Sequence, residues 1–339
     1  MGKMPKVGLI GVPTSAGAFA PGQEGAPGAL RATGLLEALR DGGVEVVDRG
    51  DREVWRWRPD RVERRAQNIG KVVEIVRETA GRVAESIGAG ELPLVLGGDC
   101  TVGIGTVAGV IAESAALGEG EGLGTPSLTN SVEVRSGVPR PSDDPSRNSV
   151  GLLYLDSHAD LNVPSSVHEG ALDWMGLAHM LGVDGARAEL VGAGPRVPLL
   201  SPERVTLVGW GPEQATEFER ERIQELGLEV FGVGTVAADP AGVTRRAVAS
   251  LESRCERIVV HCDVDLVDFT DTPLSENWGR NEGLPFASFL AALRAALEAP
   301  GLAAVTLTEL NPDHTEPGTD AIERLARTLA DGFLAVRWS

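Results

Sequence analysis

An α/β fold follows from two features of the 339-residue chain. Eight short apolar, β-branched runs alternate with stretches whose apolar residues recur at three- and four-residue spacing. Several runs, LPLVL and AAVTLT among them, are apolar at successive positions, which suits strands of a parallel sheet covered on both faces. The predicted strands are Val7–Pro13, Val44–Val47, Leu92–Leu96, Val150–Leu155, Val205–Val208, Leu228–Val233, Ile258–Val264 and Ala303–Leu307. Between most of them lie helical patterns at Ala29–Leu39, Arg61–Ile87, Val102–Ala116, Glu213–Leu226, Phe286–Leu297 and Ala321–Leu334. Eight strands fit an eight-fold barrel and an open three-layer sheet equally well at this level.

The pattern continues unchanged from end to end, so a single domain over residues 1–339 is expected, with no internal repeat. One stretch departs from it. From Gly118 to Ser149, 15 of 32 residues are Gly, Pro or Ser and only five are aliphatic, too few to bury much, so 118–149 reads as a flexible surface insertion. Lys and Arg total 31 against 49 Asp and Glu, and a net charge of −18 would repel a phosphate backbone, which excludes nucleic acid as a partner. No apolar run approaches the ~18 residues of a membrane span, and the opening MGKMPKVGLIGVP enters a strand-like segment without a cleavage site. A cytoplasmic protein is expected. Three cysteines, Cys100, Cys255 and Cys262, do not make a disulfide framework in so long a chain.

Four predicted strands end in polar residues that an apolar strand would not carry without reason. LPLVLGG is followed by Asp99 and Cys100, GLLYL by Asp156, His158 and Asp160, RIVV by His261, Asp263 and Asp265, and AAVTLT by Glu309. In an open α/β sheet ligands bind beyond the strand carboxyl ends, where these residues would converge. Side chains alternate along an extended segment, so each aspartate-rich triplet forms a comb of metal-donor types on one face. Four close carboxylates cannot all stay ionised unless cations neutralise them, and two divalent ions would balance them. Such a pair activates a water to hydroxide and points to hydrolysis. The plainer reading of either triplet alone is a turn capped by its aspartates.

The other candidates have weaker claims. His179, in a GLAHMLG helix, suits a core or supporting position, and His314 follows Asn311 and Pro312 in a loop. Cys255 suits a structural place, and Cys262 alternates away from its acidic neighbours toward the core. The stretch GGDCTVGIGTVAG could be read as a dinucleotide loop, but its glycine spacing is off the fingerprint and Asp99 would face the pyrophosphate.

Taken together, these residues resemble the ureohydrolase superfamily, the arginase and agmatinase group. LGGDC at 96–100 resembles the family's GGDH, LDSHADLN at 155–162 its DAHADLN, HCDVDLVD at 261–268 its SFDVDxxDP and TELNP at 308–312 its ExNP. GVPTSAGAFAPGQEGAPGALR resembles the family's opening strand, glycine-rich loop and helix start. The resemblance runs from Val7 to Trp338 and implies a three-layer α/β/α fold with an open, mainly parallel eight-stranded sheet, which decides against a barrel. It implies hydrolysis of a guanidino or amidino C–N bond with two divalent metal ions, manganese in the family. It also implies that Asp156 and Asp263 bridge both ions, that Asp160 and Cys100 complete one site and His158 with Asp265 the other, and that Glu309 pairs with the guanidinium. A carboxylate suits that task because a planar cation with several N–H donors binds it bidentately. A homo-oligomer, trimer or hexamer, is implied in the same way.

Two departures bear on chemistry. Cys100 stands where the family has a histidine, and a thiolate tilts metal preference toward zinc or another softer ion. Asp173 stands where the family has a proton-shuttling histidine. An aspartate near pKa 3.9 is a poor acid unless burial raises it, and His168 or His261 is the alternative source of the proton. Asn162 matches an asparagine that in arginases touches the substrate carboxylate, yet Glu169 and Ala171 replace the polar residues expected beside it. A carboxylate facing a carboxylate is repulsive, which disfavours free arginine. The competing expectation is a catalytically degenerate member that binds a guanidino ligand or plays a structural part.

Overall fold

The computed structural model describes residues 6–119, 149–277 and 279–336. Eight strands form one fully parallel sheet: β1 (Lys6–Val12), β2 (Glu45–Asp51), β3 (Leu92–Gly97), β4 (Val150–Leu155), β5 (Val205–Val208), β6 (Glu229–Phe231), β7 (Arg257–Asp263) and β8 (Leu302–Thr308). Their spatial order is β2-β1-β3-β8-β7-β4-β5-β6, an open sheet whose two ends do not pair, so it is not a barrel. All eight predicted strands are present; β4 and β5 have the predicted bounds, and the other six differ by one to four residues at one or both ends.

Each central strand is apolar on both faces because each face is covered. Leu9, Leu94, Leu96, Leu153, Val260 and Leu307 point into one core, packed by helices Ala26–Ala32, Leu35–Asp41, Pro240–Glu252, Phe286–Leu297 and Ala321–Ala335. Ile10, Val95, Leu152, Tyr154, Val259 and Ala304 point into the other, packed by Ile69–Gly88, Val102–Glu119, Gly176–Leu181 and Glu217–Leu226. Adjacent residues of one strand thus enter different cores, the three-layer arrangement in which neither face of the central strands meets water. No helix among the described residues is long and apolar enough to cross a membrane.

Helix starts differ from the periodicity where local side chains capture the backbone. The pattern over 29–39 is two helices, broken at Gly34, whose φ of 79° is left-handed. The pattern over 61–87 becomes helix only at Ile69, because the Asp60 carboxylate accepts the N–H groups of Val62, Glu63 and Asn68 and folds the preceding residues into turns. Thr216 accepts the N–H of Glu219 and starts its helix at Glu217 rather than 213. The helix Pro240–Glu252, absent from the predicted set, opens on the Asp239 side chain with proline in its first turn. The expected insertion at 118–149 lies, apart from Gly118, Glu119 and Ser149, outside the described residues.

Helix Val102–Glu119 approaches helix Ile69–Gly88 through glycine. A Cβ on Gly109 would lie 2.6 Å from the Ala80 carbonyl oxygen and 2.7 Å from the Val83 Cβ, and one on Gly105 would lie 2.7 Å from both the Thr79 Cβ and the Val76 carbonyl. Gly109→Val should therefore lower the unfolding free energy by about 1–3 kcal/mol, the usual cost of overpacking. Denaturant titration checks this, and an unchanged midpoint would show that the two helices can part without cost.

Candidate metal and substrate site

The donors converge because four strands adjacent in the sheet, β3, β8, β7 and β4, all end at one rim. Glu309 donates its N–H to the Gly98 carbonyl at 2.8 Å, which sets it beside the Asp99–Cys100 turn. Leu155 and Cys262 are register partners, so the next residues, Asp156 and Asp263, leave neighbouring strands side by side. Parallel strands run about 4.8 Å apart, the scale on which two carboxylates can share one cation.

Beyond the strand ends the chain turns at once. Asp156 Oδ1 accepts the His158 N–H at 2.7 Å, and Asp263 Oδ1 accepts the Asp265 N–H at 3.1 Å. Each triplet is therefore broken by an aspartate-capped turn, after Asp156 in the first and after Asp263 in the second, whose His261 stays in extended β7. The turns divide the donors of each triplet between two groups. Asp160 and Glu309 hold left-handed backbone, with φ of 50° and 63°. Non-glycine residues there cost free energy and cluster at functional sites.

Two donor sets result. The Cys100 thiol and the Asp263 and Glu309 carboxylates each offer an atom within 4.8 Å of the others, as do Asp156, His158 and Asp265. Asp160 joins the first set, its Oδ2 3.1 Å from the Cys100 Sγ, which also lies 2.6 Å from the Asp173 carbonyl. His158 Nδ1 lies 3.0 Å from Asp265 and 3.2 Å from Asp156. Each oxygen of Glu309 has a neutral donor at 2.8 Å, the Cys100 N–H on one side and the Gln23 amide on the other.

Electrostatics marks the cluster as short of positive charge. Burial first, then Asp265 and Asp160, pushes Asp156 well above the usual carboxylate range; burial with Asp265 and Asp156 does the same to Asp263. Burial with Asp173 and Asp265 raises Glu309, and burial raises Asp160 to about 7 despite hydrogen bonds from Tyr154 and Cys100. The Cys100 thiol is raised by burial and by Asp160, Glu309 and Asp263. Burial acts against the charge of His158, but Asp265 and Asp156 outweigh it and raise its pKa, while the same imidazole holds Asp265 low against burial. Asp156 Oδ2 is buried with no hydrogen-bond partner among the described residues. Burial leaves that oxygen unpartnered, and the carboxylates, one imidazole and one thiol around it are donor types that could hold a metal ion.

A cavity of about 350 Å³ opens over the rim. Cys100, His158, Asp160, Asn162, Glu169, Ala171, Asp173, Asp263, Asp265 and Glu309 all line it. His261 does not. It is fully buried in β7, stacked on Tyr154 with ring centroids 4.4 Å apart, and burial lowers its pKa to about 3, so it is neutral. His168 is exposed, His179 is buried with its ring nitrogens engaged by Met175 and Arg187, and Cys255 and Cys262 are buried.

Sequence reasoning missed several residues. Gln214 touches His158 Nε2 at 3.0 Å, and Glu219 accepts the N–H groups of Ala159 and Leu161, pinning the 156–162 turn from a separate helix. Glu276, whose carboxylate accepts from Asn311, and Phe19 also line the cavity. Only Gln23 and Phe19, inside the glycine-rich opening loop, carried any sequence signal.

A family model for the arginase family matches residues 5–334. The chain belongs to the arginase family. Members of this family are hydrolases of C–N bonds in amidines and typically carry a dinuclear manganese centre. The arginase of Bacillus caldovelox is 26% identical over 314 residues, covering 91% of this chain and 92% of that one. Its solved structure superposes with a TM-score of 0.76 at 24% identity over 99% of each chain. The formimidoylglutamase of Bacillus subtilis shares the fold, with a TM-score of 0.68 at 14% identity, over 98% of this chain and 87% of the other.

The raised carboxyl groups make a pH prediction for protein stripped of divalent ions by a chelator. A group whose folded pKa lies above its unfolded value stabilises most below the unfolded pKa, and that contribution is lost as pH rises through the folded value. For Asp160 the window runs from its ordinary value of 3.8 to about 7. Unfolding free energy of the stripped protein should therefore fall across this range, less steeply in Asp160→Asn; identical slopes would contradict the assignment.

Proposed function

We propose that the chain is a metal-dependent hydrolase of a guanidino or amidino C–N bond in a cationic small molecule, with arginine itself a poor substrate. One observation carries this reading. Of the residues lining the cavity, eight are carboxylates, Asp160, Glu169, Asp173, Glu219, Asp263, Asp265, Glu276 and Glu309, and among the described residues none is Lys or Arg. Such a cavity draws in cations and rejects an anionic substituent. Agmatine and other guanidines without a carboxylate, or with a distal amine, suit it better than free arginine does.

In this reading Cys100, Asp156, Asp160, Asp263, His158 and Asp265 would hold two divalent ions. The ions supply Lewis-acid activation of water and balance the carboxylate charge. Family resemblance favours manganese, and Cys100, in place of the family histidine, shifts preference toward zinc or another softer ion. Glu309 binds the guanidinium, its oxygens pre-set by Gln23 and the Cys100 backbone so that little ordering remains to be done on binding. Asp173 supplies the leaving amine with its proton: burial, reinforced by Asp99 and Asp160, raises its pKa well above the usual range, and the Trp174 N–H fixes its Oδ1 at 2.9 Å. Asn162, its Oδ1 held by Thr216 and Ser166, and the exposed Glu169 face the outer end of the substrate. A homo-oligomer belongs to the same reading by family resemblance.

A urea and ammonia assay of metal-loaded protein across a guanidine panel tests it. Agmatine-type amines should exceed arginine in kcat/KM by at least about tenfold, since one misplaced charge in a partly desolvated site is worth more than about 1.4 kcal/mol. Faster release from arginine would contradict the substrate class. Tight guanidine binding without turnover would instead favour a degenerate, ligand-binding member.

A further inference from the structure

The one tyrosine of the chain, Tyr154, is fully buried in β4 and takes no part in the chemistry described above. A buried phenol needs an acceptor. Its hydroxyl donates to Oδ2 of Asp160, the same oxygen that lies 3.1 Å from the Cys100 thiol. The ring is held just as specifically. Tyr154 and His261 are register partners on adjacent strands, and their rings stack with centroids 4.4 Å apart and planes within 8°. His261 is fixed in turn by the Thr308 hydroxyl at 3.3 Å from Nε2. On its other side helix Val102–Glu119 comes so close at Gly103 that a Cβ there would lie 2.5 Å from Nδ1. A column of side chains thus runs Thr308, His261, Tyr154, Asp160 across β8, β7 and β4 and ends on a carboxylate at the rim.

We infer that Tyr154 and His261 are positioning residues for the half of the metal centre that contains Asp160 and Cys100. The inference rests on the dinuclear reading above. Asp160 sits after a tight turn in left-handed backbone, so its carboxylate is aimed by side-chain partners as well as by the main chain. Cys100 cannot both donate its proton to Asp160 and bind a cation through sulfur. Once a cation is held, Tyr154 is the remaining side-chain donor to Oδ2 among those described. His261 acts one step further back, as the flat surface that keeps the phenol from swinging off Asp160. Groups that orient a metal ligand in this way typically contribute 10–100-fold to metal affinity.

Full-length protein stripped with a chelator and titrated calorimetrically with Mn²⁺, then Zn²⁺, provides the test. Wild type should show two binding events. Tyr154→Phe, which keeps the ring, should weaken one event by about 10–100-fold and leave the other within a few-fold, with little change in the melting temperature of the stripped protein. His261→Ala, which keeps the hydroxyl but removes the surface under the ring, should weaken the same single event, and His261→Phe should restore it. Equal weakening of both events, or of neither, would overturn the positioning role and leave the dinuclear reading standing. A wild type that takes up no metal would overturn the dinuclear reading, and the positioning role with it.

Discussion

Mutual repulsion among buried carboxylates is the constraint around which this molecule is arranged. Asp156, Asp160, Asp263, Asp265 and Glu309 end or follow three adjacent strands, all nearly inaccessible to water, with His158 as the one cationic side chain among the cavity residues described. Charges at such distances cost kilocalories each in a partly desolvated site. Unaided, the rim lowers that cost by taking up protons, which is the physical meaning of the raised pKa values. Two divalent ions, as the proposed function has it, lower it by neutralisation, so cation uptake and the geometry of the rim are two sides of one balance.

The scaffold supplies what that balance demands. A parallel sheet directs every strand carboxyl end to the same side, and the order β3-β8-β7-β4 sets the four donor-bearing ends next to one another at the centre, far from either edge. Residues that bind nothing themselves then restrain the donors. Glu219 holds the 156–162 turn, Gln23 and the Cys100 N–H hold Glu309, and Asp99 ties the glycine-rich loop to the rim through the Gly17 N–H at 3.0 Å. Gly98 is required where it is, because a Cβ there would lie 1.7 Å from the Thr14 carbonyl oxygen. The same loop carries Gln23 and Phe19, so the packing of that glycine bears on the cavity wall as well as on the fold.

Much of this could be read from the chain, and what could not has a physical reason. The eight strands were legible because short runs apolar at successive positions suit strands covered on both faces, and the rim residues because charge directly after such a strand is conspicuous. Helix starts were less legible: Asp60 and Thr216 capture backbone N–H groups through side chains, which periodicity does not register. Extended alternation would set Asp156, His158 and Asp160 on one face, but a capped turn after Asp156 leaves Asp156 and His158 in one donor set and Asp160 beside Cys100 in the other. Tyr154, Gln23, Glu219 and Glu276 look like ordinary core, loop or helix-surface residues in sequence. Their part depends on contacts with other segments: partners 6 and 286 positions away for Tyr154 and Gln23 show how widely the separation varies. His261 shows the converse: a histidine spaced like a ligand whose stacking on Tyr154 keeps it behind the wall of the cavity.

The most direct test of the central claim is elemental analysis of protein purified without added metal, set beside Asp263→Asn. If charge at this rim is balanced by a pair of cations, the wild type should carry, or take up on reconstitution, two equivalents of divalent metal per chain, and the variant markedly fewer. A well-folded wild type that retains none, even after exposure to manganese and zinc, would contradict the account.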